Sequence, residues 1–390
     1  MIERVAVKNF KSLAAVNVTL QPLTVLVGPN GAGKSNFVDA LRFIRDCLVE
    51  DVQTAIDRRG GLNAVRRRSR GHPTNFGFHL SLRPSDHGRA QYSFEIAARP
   101  KGGFSVKREK CEVVIGQKGG AYEVREGEFI RPLPGVRAKL QADRLALRVV
   151  SDVDEFAPVY EFLATMQFYA VAPDRLRELQ SPDPGLILKP DGSNAAAVLR
   201  KLKEENRPAF ERVCQLLEVV VPGTKQVEPR VVSGAHTLRF FQDVGDRHPW
   251  GFDALNMSDG TLRILGLLLA VYQQGRVSLV AIEEPEATVH PAAAEALVEI
   301  LAEASATRQI VITTHSPDLI DARGISADQI RVVGQEKGKT IIVGMPRDRL
   351  ELVKQKLYSP GDLLRINELL PQAESFAGAE DRINLFKFSM

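Results

Sequence analysis

The chain has 390 residues, with 52 Lys and Arg against 48 Asp and Glu and a net charge of +4, a composition that allows a sizeable core in two or three lobes and does not by itself predict a nucleic-acid partner. No apolar run reaches bilayer length, since Ile264 to Tyr272 is too short and is followed by Gln273-Gln274-Gly275, and Met1-Ile-Glu-Arg4 leads straight into a strand without a signal peptide. Cys47, Cys111 and Cys214 lie far apart with no C-x-x-C pair, which argues against a disulfide framework or zinc site and leads us to expect a cytoplasmic protein with no membrane partner.

Residues 2 to 27 alternate and then run continuously apolar, which predicts an antiparallel pair of strands feeding a buried central strand. That strand enters Val25-Leu-Val-Gly-Pro-Asn-Gly-Ala-Gly-Lys-Ser-Asn36, and Phe37 to Phe43 follows with helical spacing. Gly28 and Gly33-Lys34-Ser35 stand at the G-x-x-x-x-G-K-S spacing between strand and helix, the context in which this motif reads as a phosphate-binding loop. Glycines let successive N–H groups turn inward, the helix presents its positive end, Lys34 reaches the outer phosphates and the Ser35 hydroxyl ligates Mg²⁺.

Asp57 to Arg70 is rich in glycine and arginine and reads as a loop. Its cluster of Arg58, Arg59, Arg66, Arg67, Arg68 and Arg70 suits either phosphate-backbone contact with DNA or RNA, or a solvated or protein-facing loop, because stacking aromatics are missing. Short alternating segments from Asn75 to Phe129 predict an inserted β-sheet. Ser151 to Val221 is mostly helical, with helices over Phe156 to Thr165, Ala195 to Glu204 and Ala209 to Val219. Strands resume from Gln226 to Asp243, and Met257-Ser-Asp-Gly260 opens a helix with Leu262, Leu265, Leu268, Leu269 and Tyr272 on one face.

Val277 to Ile282 and Gln309 to Thr313 are short buried strands on either side of a helix over Pro291 to Ala304, an alternation that implies a parallel sheet covered by helices. Ile282-Glu-Glu-Pro-Glu286 ends the first strand with two acids that can divide the work, Glu283 binding Mg²⁺ through water and Glu284 polarising a water for attack on a phosphate. His315 follows the second strand, where an imidazole can hydrogen-bond a γ-phosphate. Ser258 is either an ordinary helix cap or a hydroxyl that binds phosphate in another subunit.

Asn9-Phe-Lys-Ser-Leu13, Gly28 to Asn36, Ser258-Asp-Gly-Thr261, Ile282 to Glu286 and Thr313-Thr-His-Ser-Pro317 occur in this order. Together they resemble the ABC-type ATPase heads of the SMC, RecF and OLD group, above all its compact stand-alone bacterial ATPases. The resemblance covers residues 1 to 50 and 250 to 335. It implies an α/β P-loop NTPase head, a mostly parallel sheet flanked by helices, with an inserted antiparallel sheet and a helical lobe.

By the same resemblance, Gly28, Asn30, Gly31, Gly33, Lys34, Ser35 and Asn36 would hold ATP, with Lys11 and Ser12 approaching from the first loop. Ser35 and Glu283 would hold Mg²⁺, Glu284 would be the catalytic base, His315 the switch histidine, and Ser258 with Gly260 the signature acting in trans. Glu283 stands where many relatives carry aspartate, and Ser-Asp-Gly-Thr replaces the transporter-type Ser-Gly-Gly-Gln. Val289-His290-Pro291 occupies the expected D-loop position, and Gln167 is a candidate for the glutamine linking ATP to the helical lobe. A homodimer or higher homo-oligomer controlling a separate effector such as a nuclease, in anti-phage defence or DNA maintenance, is the function implied. A transporter ATPase subunit and an ATP-binding scaffold without turnover are the alternatives.

The expected organisation is a first nucleotide-binding lobe over 1–150 with its inserted sheet at about 75–130, a helical lobe over 151–250, the second half of the ATPase core over 251–345 and a helical tail over 346–390. The tail is too short for the nuclease domain of OLD-type proteins. Its Phe386 and Phe388 could dock on a partner or tuck against the core.

Overall fold

A computed structural model of the chain describes residues 1–67, 75–85, 87–99, 103–130, 133, 140–141, 143–287, 293–372 and 383–388. Arg68, Arg70 and Val289-His290-Pro291 lie outside the described residues. The chain forms two compact units interleaved in sequence, the first from residues 1–166, 328–355 and 367–390, the second from 167–327 and 356–366.

The first unit opens with β1 (Ile2–Phe10) and β2 (Leu13–Thr19), an antiparallel hairpin, followed by β3 (Leu23–Val27), α1 (Lys34–Val49), α2 (Val52–Asp57) and α3 (Leu62–Val65). Strands β4 (Phe76–Leu82), β5 (Gly88–Ala98), β6 (Phe104–Ile115), β7 (Lys118–Arg125) and β8 (Glu128–Phe129) come next. They do not make a separate sheet: β1 pairs with β4, so the first hairpin forms one edge of the order β2-β1-β4-β5-β6-β7-β8. Alternation shows that a segment is a strand but not which strand it joins.

Phe10, Phe43 and Phe78 pack with ring centroids 5.4–5.5 Å apart and fasten α1 to this sheet, an apolar contact with a preferred ring geometry. Behind it, α4 (Ala146–Val149) and α5 (Ala157–Ala164) close the segment. The fully buried Glu109 accepts hydrogen bonds from the Tyr92 and Tyr122 hydroxyls and from the N–H groups of Ala146 and Leu147. Four donors converging on one carboxylate tie α4 to β6.

The second unit begins with β9 (Gln167–Tyr169), α6 (Pro173–Arg177), α7 (Ala195–Glu205) and α8 (Arg207–Val220). An antiparallel sheet of β10 (Thr224–Val232), β11 (Ala235–Gln242) and β12 (Trp250–Asp253) follows, then α9 (Asp259–Tyr272). Next come β13 (Leu279–Glu283), α10 (Ala294–Ser305), β14 (Gln309–Thr314) and α11 (Pro317–Asp321). Strands β9, β13 and β14 run parallel, with β13 in the middle. Apart from Arg263, helix α9 is buried from Thr261 to Val271 rather than along one stripe, because α6, α7, α8, α10 and β13 surround it.

The chain then returns to the first unit with β15 (Ile330–Glu336) and β16 (Lys339–Gly344), a hairpin turned by Lys337 and Gly338 at φ of 48° and 73°. Two positive φ angles match the twist of the paired strands. Strand β15 lies parallel to β3, pairing Val332 with Val27. Helix α12 (Arg347–Lys354) belongs to this unit, while α13 (Pro360–Arg365) packs on α11 in the second.

Of the two readings of the tail, its aromatics tuck against the core. Phe388 stacks on His79 at 4.0 Å, Phe386 lies under Arg108 at 4.1 Å, and Ser93 Oγ donates to the Leu385 carbonyl. Burial, with the charge of Arg4, pushes His79 down to about 4, so its ring is neutral beneath Phe388 near neutral pH.

Candidate nucleotide site

The glycine-rich loop leaves β3 at Gly28 and enters α1 at Lys34 and Ser35. Two of its glycines are dictated by close packing. A Cβ on Gly28 would lie 2.1 Å from the Val333 carbonyl oxygen; one on Gly33, at φ of 105°, would lie 2.1 Å from Thr340 Oγ1. Gly33 is also the N-cap of α1 and, having no side chain, leaves the first N–H groups of the helix without a side-chain cap. Such a terminus favours an anion. Lys34 is buried, and its Nζ donates to the carbonyls of Gly28 at 2.7 Å and Pro29 at 3.1 Å, so the ammonium lies across its own loop.

The turn between β1 and β2 lies beside this loop. Asn9 and Lys11 hold it with φ of 58° and 47°. Its polar side chains are engaged with α1: Lys11 Nζ is 2.7 Å from Asp39, and Ser12 Oγ accepts from Asn36 Nδ2 at 2.6 Å. Asp39 also receives a fork from Arg59, which reaches on to Asp46 at 3.0 Å. Burial pushes the Asp39 carboxyl up, but the hydrogen bonds and charges of Arg59 and Lys11 outweigh it and hold the group below the ordinary carboxylate range.

This geometry removes Arg59 from the expected basic surface. Its side chain is 8% exposed, packs over Phe43 at 5.1 Å and is consumed by two carboxylates. Arg58 pairs with Glu50 at 2.6 Å and Arg66 donates to Asn63, so these arginines too have partners of their own. In the second unit a cavity of about 430 Å³ gathers Arg200, Lys203, Arg207 and Arg230. There Lys203 faces Glu228, Arg207 faces Glu211 and Arg230 faces Asp253, which neutralises most of the charge.

The second unit carries the other motifs on its parallel strands. Glu283 ends β13 opposite Thr313 of β14. Glu284 then turns the chain with φ of 46°, its N–H donating to Thr313 O at 3.0 Å. A left-handed glutamate at a strand end is strained backbone held by its surroundings. His315 Nδ1 lies 3.4 Å from Glu284 Oε1, and both side chains are partly open to solvent.

Glu286, to which the motifs assign no role, is half-buried beside them. Its Oε1 accepts from the Thr314 hydroxyl, its Oε2 has no partner among the described residues, and burial pushes its carboxyl up. The Thr314 hydroxyl in turn accepts from Ser316 N–H at 2.9 Å, so Glu286 braces the turn that carries His315.

Ser258 is the N-cap of α9 and accepts from Thr261 N–H at 3.2 Å, while Gly260 lies in the first turn. Arg177 of α6 holds this turn from the side, donating to Asp259 and to the Met257 carbonyl. No local signal marks that arginine. Gln167 opens β9 beside Val280 of β13.

Among the described residues no three His, Cys, Asp or Glu side chains cluster as a metal cage. Ser35 at the start of α1 in the first unit and Glu283 at the end of β13 in the second each carry hard oxygen donors, the kind Mg²⁺ takes. No helix of the described residues is long and apolar enough to cross a membrane.

Parallel strands covered by helices, with a glycine loop opening the first long helix, define the ATPase head of an ABC-type P-loop protein. Residues 23–115 and 151–321 match the family described as "AAA domain, putative AbiEii toxin, Type IV TA system", and the chain belongs to that family. It is 24% identical over 376 residues to the OLD nuclease of Thermus scotoductus, covering 89% of this chain and 65% of that protein. It is 23% identical over 368 residues to the Old nuclease of Escherichia phage P2, covering 86% and 59%. The chain therefore spans less than two thirds of the length of these relatives. Its fold is like that of an SMC head solved bound to the C-winged helix domain of ScpA, with a TM-score of 0.54 and 15% identity over 90% of this chain and 99% of that one.

Proposed function

We propose that the chain binds Mg²⁺-ATP at Gly28–Asn36 and hydrolyses it in composite sites formed when two copies meet head to tail. The observation that carries this reading is the loop itself: an uncapped helix start, backbone curled by Gly31 and Gly33, and a buried lysine lying across it. Lys34 holds the phosphates and Ser35 and Glu283 hold Mg²⁺, which supplies charge neutralisation when bound. Glu284 orients and deprotonates the attacking water, His315 hydrogen-bonds the γ-phosphate, and Ser258 and Gly260 address the phosphates held by the partner copy.

Hydrolysis would reopen the pair, a population shift driven by contacts made only with ATP. The readout would pass to a separate effector in anti-phage defence or DNA maintenance. The names of the OLD relatives favour a nuclease, and the SMC head bound to a ScpA domain supports control through a partner protein.

Phosphate release from mixed variants tests the composite site. Lys34→Ala and Ser258→Ala chains should each be inactive alone, and mixing them should restore at most one of the two sites in a dimer. Normal hydrolysis by either variant alone refutes the composite site.

A further inference from the structure

Thr340 lies 306 positions after Lys34, in a strand that no nucleotide motif marks, yet it is fully buried against the phosphate loop. Its Oγ1 donates to the Ala32 carbonyl at 2.9 Å and lies 2.7 Å from Ser12 Oγ, and its N–H donates to the Ser12 carbonyl at 2.9 Å. A hydroxyl has one proton, and that of Thr340 goes to Ala32. The Ser12 proton therefore goes to Thr340, which leaves the Ser12 oxygen to accept from Asn36 Nδ2 at 2.6 Å. The result is a one-way chain from Asn36 through Ser12 and Thr340 to Ala32 in which both hydroxyl protons are used, an arrangement that polarises each bond in turn.

A trans peptide holds C=O and N–H antiparallel. With the Ala32 carbonyl drawn to Thr340, the N–H of Gly33 is aimed the opposite way, away from β16. The methyl and Cβ of Thr340 would stand 2.8 and 2.9 Å from a Cβ on Gly33, so the same residue also sets the position of that glycine. Its hairpin partner strand does likewise at the other end of the loop, where Val333 meets Gly28.

We infer that Thr340 is a positioning residue for ATP: it fixes the Ala32–Gly33 peptide so that Gly33 N–H is preorganised to donate to a phosphate. This rests on the reading of Gly28–Asn36 as an ATP site. Preorganised donors cost no rearrangement when the anion arrives, so the hydroxyl acts on affinity.

The test is calorimetric titration of the full chain with ATP and Mg²⁺, with steady-state phosphate release alongside. Thr340→Val keeps the branched shape and removes the hydroxyl; Kd and KM should rise about tenfold, the size of one net hydrogen bond, with kcat changed by less than about threefold. Thr340→Ser should restore affinity to within about threefold of the parent, a rescue that shape alone does not explain. If the valine variant does not fold, Ser12→Ala breaks the same chain one link earlier and should weaken ATP about threefold. Lys34→Ala separates the two levels. Lost binding in Lys34→Ala with parental Kd in Thr340→Val and Ser12→Ala overturns the positioning role alone. Parental Kd in Lys34→Ala overturns the ATP-site reading and the positioning role with it.

Discussion

Replacing Arg59 by methionine distinguishes a structural arginine from a nucleic-acid contact. The guanidinium makes three hydrogen bonds to Asp39, one to Asp46 and one to the Ala55 carbonyl, in a setting where Asp46 is 3% exposed. Removing one partner of a buried ionic network costs about 3–5 kcal/mol, because the remaining charges stay buried. Here Lys11 still faces Asp39 and Arg45 still faces Asp46, which places the expected loss near the lower end, about 3 kcal/mol. For a domain of this size that is a fall in Tm of about 6–12 °C. Arg58→Met is the control: its side chain is 56% exposed and its single pair with Glu50 is worth well under about 1 kcal/mol. Scanning calorimetry at neutral pH measures both. A Tm for Arg59→Met within about 2 °C of Arg58→Met would refute the account of a buried structural network.

Two further outcomes follow from the same geometry. Glu284→Gln should retain ATP binding, slow phosphate release by about 100-fold or more and accumulate an ATP-bound oligomer on size-exclusion chromatography; unchanged turnover would remove Glu284 from the role of base. Asp39→Asn tests the lowered carboxyl. A group whose folded pKa is depressed stabilises fully above its ordinary value, about 3.8, and loses that contribution as pH falls through the folded value. The Tm gap between parent and Asp39→Asn should be constant from about pH 7 to 5 and narrow below about pH 4; a gap undiminished at about pH 3 contradicts the assignment.

The phosphate loop was legible in the sequence because strand, glycine turn and helix are built from neighbouring residues. The parallel strands ending at Glu283 and Thr314 were legible for the same reason, as short apolar runs closed by polar residues. Pairings across the chain were not. Nothing in Ile2–Phe10 specifies β4 as its second partner, and nothing in Phe386 or Phe388 specifies His79 or Arg108. Arg59, Arg177, Glu286 and Thr340 share this difficulty. Each acts through one side chain on a segment distant in sequence or in role, and an arginine or threonine carries no local mark of its target. Ser258 shows the converse limit: capping α9 and meeting a phosphate call for the same hydroxyl at the same helix start, so residue type alone does not separate them.

The hairpin of β15 and β16 presses on Gly28 through Val333 and on Gly33 through Thr340, some 300 positions after the loop it supports. On a ribosome, the loop would emerge some 300 residues before its seat. Long-range closures of this kind are late and entropically slow. A nascent or truncated chain lacking residues 328–344 would carry the complete motif without the surface that shapes it. On the proposed ATP-site reading, tight binding would thus wait for this hairpin rather than for the motif alone.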